Sequence, residues 1–356
     1  MILLEDSDLY AVINCLKLRR VLSDLSKIWI QESIIQTFIW HFKKCFGTLN
    51  IPIHIFQSKQ ELLVLNTFKC NINMTEMNIM SIWSEDVVAA KTLAESLNQD
   101  VLFINTHMDF CPGIIFPYID KYVKSLDESL NLHQMDEYKS CVNPVYRMMH
   151  KGVMFDLFYN GKWQTPINNT YWIHDNVLFA NAFCEDIIRC ANSAIDGFKT
   201  WSTMSAKSRM KILSNFANTL ECNGNLISST VIFYWIKMSY ICGSKKQCYQ
   251  NERFEVIKAH KPQGTVILRE KDETTFFREL TQSLIIGNSV IVICDPNFCT
   301  LTPYCDMFKM CGIPPGVINL LSRENTNFRY DIIRNSTVSD VYSDLTIIKH
   351  IIISLK

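Results

Sequence analysis

Residues Ser283–Asn297, "SLIIGNSVIVICDPN", read as a helix end, a Gly-Asn break, a buried strand and a stop. The same grammar extends to either side. "QGTVIL" (263–268) is a strand and "TTFFRELTQSLI" (274–285) a helix. A further helix lies near "TPYCDMFKMCG" (302–312), and Gly316 ends a turn before a strand over Val317–Leu321. Strand-helix-strand-helix-strand at this spacing predicts a parallel sheet with right-handed crossovers. Phosphates and riboses commonly bind at the carboxyl edge of such a sheet. Here the central strand runs into Ile293, Cys294 and Asp295, with no cation and no glycine loop to hold one.

Working outward, "DLFYNGKWQTP" (156–166) predicts a hairpin, because Asn160-Gly161 suits a tight turn needing positive φ at both central positions. Two amphipathic helices follow. "EDIIRCANSAIDGFKTW" (185–201) places Ile187, Cys190, Ala191, Ala194 and Phe198 on one face. "SAKSRMKILSNFANTLECNG" (205–224) turns Ile212, Leu213, Phe216 and Leu220 inward and stops at Asn-Gly. Upstream, "SIWSEDVVAAKTLAESLNQDVLFIN" (81–105) predicts a helix capped by Ser84, with Glu85 and Asp86 in its first turn. Ala90, Leu93, Ala94 and Leu97 share its inner face, and "VLFIN" is a short buried strand. Residues 124–150 are polar and aperiodic and read as a linker between segments 1–123 and 151–356.

Hydrophobic residues are 48% and charged residues 20% of the 356, a globular composition. Lys plus Arg and Asp plus Glu are both 35, so bulk charge gives no reason to expect nucleic acid or a membrane surface as partner. The acidic start "MILLEDSDLY" has no basic n-region. The most apolar run, "VIFYWIKMSYICG" (231–243), is too short for a bilayer and carries Lys237. Its "FYWI" reads as core. A cytoplasmic protein is expected. The 14 cysteines include no CxxC pair; Cys294, Cys299, Cys305 and Cys311 are the densest group and read as reduced thiols in the core. The eight histidines are scattered without an HExxH, and no metal is assigned.

"GFKTWSTMSAKSRMKILSNFANTLE" (197–221), "PQGTVIL" (262–268), "LIIGNSVIV" (284–292) and "CGIPPGVINLL" (311–321) resemble consecutive parts of the cofactor-binding half of the aldehyde dehydrogenase superfamily. "LLEDSDLYAV" (3–12), "IQESIIQTFIWHFKKCFGTL" (30–49) and "IWSEDVVAAKTLAESLNQDVLFIN" (82–105) resemble its catalytic half, which here comes first. That order resembles the tandem family 16 of these enzymes, whose second copy is degenerate. Residues 1–123 would be the end of one copy, and 151–356 the truncated amino-terminal half of a second. The resemblance implies an α/β fold of parallel Rossmann-like sheets with flanking helices, incomplete in each half.

The superfamily's chemistry needs a cysteine nucleophile, an oxyanion-holding Asn, a Glu base and NAD(P). In "LYAVINCLKLRRVLSDLSKIWI" (9–30) the nucleophile loop has contracted and holds no cysteine; Cys15 falls too early, inside a helix. Cys111, in "MDFCPGIIFPYID" (108–120), lies in a segment that resembles the one closing the substrate tunnel. Glu273 stands where the Asn belongs, next to Asp272, and Ile293 aligns with the lysine that grips the adenosine ribose. "DVYSDLTIIKH" (340–350) lacks the glycines of the cofactor turn. Losing a covalent nucleophile costs on the order of a million-fold in rate. The resemblance therefore implies a pseudoenzyme without cofactor, assembling with itself or a fuller relative through the Asn160-Gly161 hairpin or "VLFIN". The alternative is an NAD(P)-dependent oxidoreductase that turns an aldehyde into a carboxylic acid using Cys111 or Cys15.

Overall fold

Short runs of isoleucine, valine and leucine, buried on both faces, supply the strands of two sheets. The computed structural model describes residues 1–19, 25–48, 51–62, 78–109, 153–241, 246–295, 297–298, 301–323 and 345–355. The chain divides into two units. One comprises Met1–Asp136, Ser244–Lys261 and Ile348–Lys356; the other comprises Glu137–Gly243 and Pro262–Ile347.

Numbered in chain order, the first unit's strands are β1 (Ile2–Leu3), β2 (Ile28–Gln31), β3 (Ile53–Phe56), β4 (Ile79–Trp83), β5 (Val101–Ile104), β11 (Gln247–Gln250), β12 (Phe254–Pro262) and β16 (Thr346–Ser354). They form one eight-stranded sheet in the order β11-β12-β16-β5-β4-β1-β2-β3. From β16 to β3 every pairing is parallel, while β11 and β12 are antiparallel. Side chains alternate across it: Ile2 and Leu102 join one cluster with Ala90, Leu93 and Ala94 of helix α3 (Val87–Ser96). Leu3 and Ile28 join another with Val12 and Leu16 of α1 (Leu9–Arg19) and Phe38 and Phe42 of α2 (Ile35–Phe46).

Two sequence expectations change here. The cap of α3 is Asp86, whose carboxylate accepts from the Ala89 N–H at 2.9 Å. Ser84 lies too early to reach the first free N–H groups of a helix that starts at Val87. "VLFIN" does form β5, but β4 and β16 pair with its two edges, so it offers no edge to another chain. The strand that covers it contains Thr346–His350 of "DVYSDLTIIKH". Residues 124–150, read from the sequence as a linker, lie outside the described residues.

The second unit holds β6 (Met154–Phe155), β7 (Leu157–Tyr159), β8 (Lys162–Gln164), β9 (Tyr171–His174), β10 (Val177–Ala180), β13 (Thr265–Arg269), β14 (Ser289–Ile293) and β15 (Ile318–Leu321). Its five-stranded sheet runs β13-β14-β15-β7-β8, with β13, β14 and β15 parallel as the opening stretch predicts. The β7-β8 hairpin turns through Asn160 (φ 56) and Gly161 (φ 71). Helices α4 (Cys184–Thr203), α5 (Ala206–Cys222), α6 (Leu226–Ile241), α7 (Glu273–Ile286) and α8 (Met307–Cys311) complete the unit.

Close packing of α4 on the turn before β15 depends on two glycines. A Cβ on Gly197 would lie 2.1 Å from the Gly316 carbonyl carbon, and one on Gly316 (φ 80) would lie 2.2 Å from the Ser193 oxygen. The ends of α4 and α7 meet around Arg209, which is buried and donates to the carbonyls of Trp201, Met204, Ile285 and Ile286. Those of Met204, Ile285 and Ile286 lie at two helix C-termini, where carbonyls lack an intrahelical donor; that of Trp201 also accepts the Met204 N–H. Cys294, Cys305 and Cys311 lie in the core as expected, and Cys299 falls outside the described residues. Of "FYWI" only Ile236 is buried, and Tyr234 is 55% exposed. Among the described residues no helix is long and apolar enough to cross a membrane.

Candidate functional site at the carboxyl edges of the sheets

The eight-stranded and five-stranded sheets each have a carboxyl edge where loops leave parallel strands, and each of these edges is held by a carboxylate of the chain itself. In the second unit that group is Glu270, the residue after β13, 1% exposed. It accepts from the Asp295 N–H at 2.9 Å and the Leu301 N–H at 2.7 Å, and from the Cys294 thiol. Burial pushes its pKa up despite these three donors. The chain leaving β14 is thereby tied back across the end of β13.

The positions singled out by resemblance serve local structure. Asp272 caps α7 by accepting from the Thr275 N–H at 2.9 Å, and that bond holds its carboxyl below the usual range. Glu273 occupies the first turn of α7, where the helix dipole favours an anion, and accepts from the Ser228 hydroxyl. Ile293 is the last residue of β14, buried beside Arg269 and Leu321 in the strand register. None of these offers a donor to an oxyanion or a ribose.

In the first unit the edge is latched by Asp6, just past β1. It accepts from the Ser84 hydroxyl at 2.8 Å and the Asp86 N–H at 2.8 Å. Burial raises its pKa, but the Asp86 and Ser84 hydrogen bonds outweigh this, leaving a net downward shift. Asn105, at φ 55, closes the next gap: its Oδ1 accepts from the Ser84 N–H at 2.9 Å and its Nδ2 donates to the Ser84 carbonyl at 2.8 Å. Gln31 and Glu5 are joined side chain to side chain at 3.0 Å. Cys15 sits within α1, half-buried against the apolar cluster. Cys111 lies outside the described residues. Among the described residues no group of three or more His, Cys, Asp or Glu could hold a metal ion.

Sequence reasoning missed Asp6 and Glu270. The available signal was an acid one to three residues beyond a buried strand, in "ILLED" and "VILRE". Their partners are backbone N–H groups, which carry no side-chain identity to read.

At the second edge two backbone donors, the Asp295 and Leu301 N–H groups, already face a carboxylate, and Asp272 and Glu273 add acidic side chains at the start of α7.

No family model matches the sequence, and no curated protein matches it. Solved structures do match part of it. A 3,6-anhydro-L-galactose dehydrogenase in complex with NAP is 17% identical, with a TM-score of 0.44 over 48% of this chain and 42% of that chain. A salicylaldehyde dehydrogenase from Pseudomonas putida G7 is 18% identical, with a TM-score of 0.42 over 48% and 42%. The aldehyde dehydrogenase KauB from Pseudomonas aeruginosa is 16% identical, with a TM-score of 0.43 over 51% and 43%. The chain spans less than half the length of each.

Proposed function

We propose that this chain is a non-catalytic aldehyde dehydrogenase-like protein, built from the end of one family-16-like copy and the start of a second. In this reading it works in the cytoplasm as an oligomerisation or interaction module. One observation carries the reading: at the edge of the β13-β14-β15 sheet the Asp295 and Leu301 N–H groups both donate to Glu270. A cofactor phosphate would have to displace a buried internal carboxylate that already holds them. The buried Ile293 and the anionic Glu273 support the same conclusion at the two positions where the resemblance requires a lysine and an asparagine.

The test combines chemistry and hydrodynamics on the full chain. Incubation with NAD or NADP and a panel of aldehydes is expected to give no NADH or NADPH above background. Sedimentation at micromolar concentration is expected to show self-association, or association with a fuller aldehyde dehydrogenase-like chain. Cofactor-dependent turnover abolished by Cys111→Ser or Cys15→Ser would replace this reading with the oxidoreductase one.

A further inference from the structure

The inference rests on the module reading and names its contact surface. Helix α6 carries apolar residues all round, interrupted by Ser228, Ser229, Thr230 and Ser239, and Lys237 is its single charged residue. An all-round apolar helix is ordinarily enclosed, yet only part of α6 is. Ile232 and Ile236 enter the core with Phe216 and Phe277. The opposite side leaves Leu226 61%, Ile227 59% and Tyr234 55% exposed. This side borders a groove of about 370 Å³ lined by Glu221, Leu226, Thr230, Phe233, Tyr234 and Lys237 among others. From Leu226 onward these residues recur at helical spacing, so they form one stripe.

The charges at its ends choose the occupant. Glu221, at the end of α5, stands beside the start of α6, and Lys237 lies roughly 16 Å further along the axis at 1.5 Å per residue. Both are exposed, and neither makes an ion pair among the described residues. A uniformly charged partner would meet one favourable end and one repulsive end. A second copy turned about a two-fold axis, with the two α6 helices antiparallel, sets each Lys237 against the other copy's Glu221. The apolar stripe then closes on itself between the two ion pairs. Such a self-complementary patch is what an isologous dimer requires. We propose that the α6 groove is the docking face for a second copy of this chain.

The test is sedimentation equilibrium on the full chain and on Lys237→Glu, Glu221→Lys and the double variant, with far-UV circular dichroism confirming unchanged folding. Each single reversal places two like-charge pairs in the dimer and is expected to weaken association about tenfold or more. The double variant exchanges the partners and is expected to return to within about threefold of wild type. Single reversals that leave association unchanged, or a double variant that fails to recover, would overturn this face while leaving the module reading intact. A wild-type chain that stays monomeric, alone and with a fuller relative, would overturn the module reading and this surface with it.

Discussion

Asp6 and Glu270 do the same task in different surroundings. Each follows a strand of a parallel sheet, and each accepts a backbone N–H from the chain leaving the neighbouring strand. Asp6 is partly open to water and its pKa falls; Glu270 is almost wholly enclosed and its pKa rises. Matching hydrogen bonds therefore do not fix the direction of the shift. The depth of burial does, because desolvation opposes the charged form of either acid. A second pair repeats the comparison with cations. Arg209 in the second unit and Lys349 in the first are both buried and donate to carbonyls at helix C-termini. Burial lowers both, Arg209 to about 10 and Lys349 to about 7. The guanidinium stays charged under any ordinary condition, whereas the ammonium titrates near neutrality.

The largest expected effect lies at Arg209. Arg209→Met leaves the carbonyls of Met204, Ile285 and Ile286 at two helix ends without this donor, and a loss on the order of 4 kcal/mol is expected. Urea unfolding followed by far-UV circular dichroism measures it. A loss under about 1 kcal/mol would mean that water reaches these carbonyls, removing the contrast in depth between the two units.

Glu270→Ala comes next. It strips the Asp295 and Leu301 N–H groups of their acceptor, and about 2–3 kcal/mol is expected to be lost. Glu270→Gln keeps an acceptor and sharpens the comparison through pH. A carboxyl whose folded pKa lies above its unfolded value stabilises fully below the unfolded value, near 4.5, and loses that contribution as pH rises through the folded value. The wild type should therefore lose stability relative to Glu270→Gln as pH climbs from about 4.5 towards neutrality. A difference that runs the other way would place Glu270 in the class of Asp6.

Much of this architecture was legible in the sequence, and the rest was hidden for physical reasons. The β13-β14-β15 run, the Asn160-Gly161 turn and the buried faces of α3, α4 and α5 are local patterns, written within a few turns or a few strand residues. The placement of β16 beside β5 is not local: His350 pairs with Val101 across most of the chain. Any apolar strand could have satisfied that edge as far as composition shows. Ser84 and Asp86 are equally competent caps, and two residues of helix phase decided between them. Asp6 and Glu270 escaped notice because the groups they hold are peptide N–H donors, identical at every non-proline position.

Lys349 is expected to give a moderate effect with a distinct signature. Its ammonium is buried against the Glu95 and Leu97 carbonyls, with Lys261, Lys246, Glu95 and Asp100 as the charges acting on it. A base whose folded pKa is about 7 against 10.5 unfolded gives stability that is complete above 10.5 and is lost as pH falls through 7. Wild-type stability should thus rise between pH 7 and 10, and Lys349→Met should flatten that limb. A profile as steep in Lys349→Met as in wild type would assign the slope to other groups.

Asp6 closes the order with the smallest change. Water can replace its hydrogen bonds at a half-open edge, so Asp6→Ala is expected to cost about 1 kcal/mol at neutral pH. The sign is opposite to that of Glu270. A carboxyl with a depressed folded pKa stabilises above its unfolded value, here 3.8, and loses that stability as pH falls through the folded value. The gap between wild type and Asp6→Asn should therefore shrink on acidification below about pH 4, whereas the gap for Glu270→Gln changes above it. If both gaps moved in the same pH window and direction, burial depth would not be what separates the two edges.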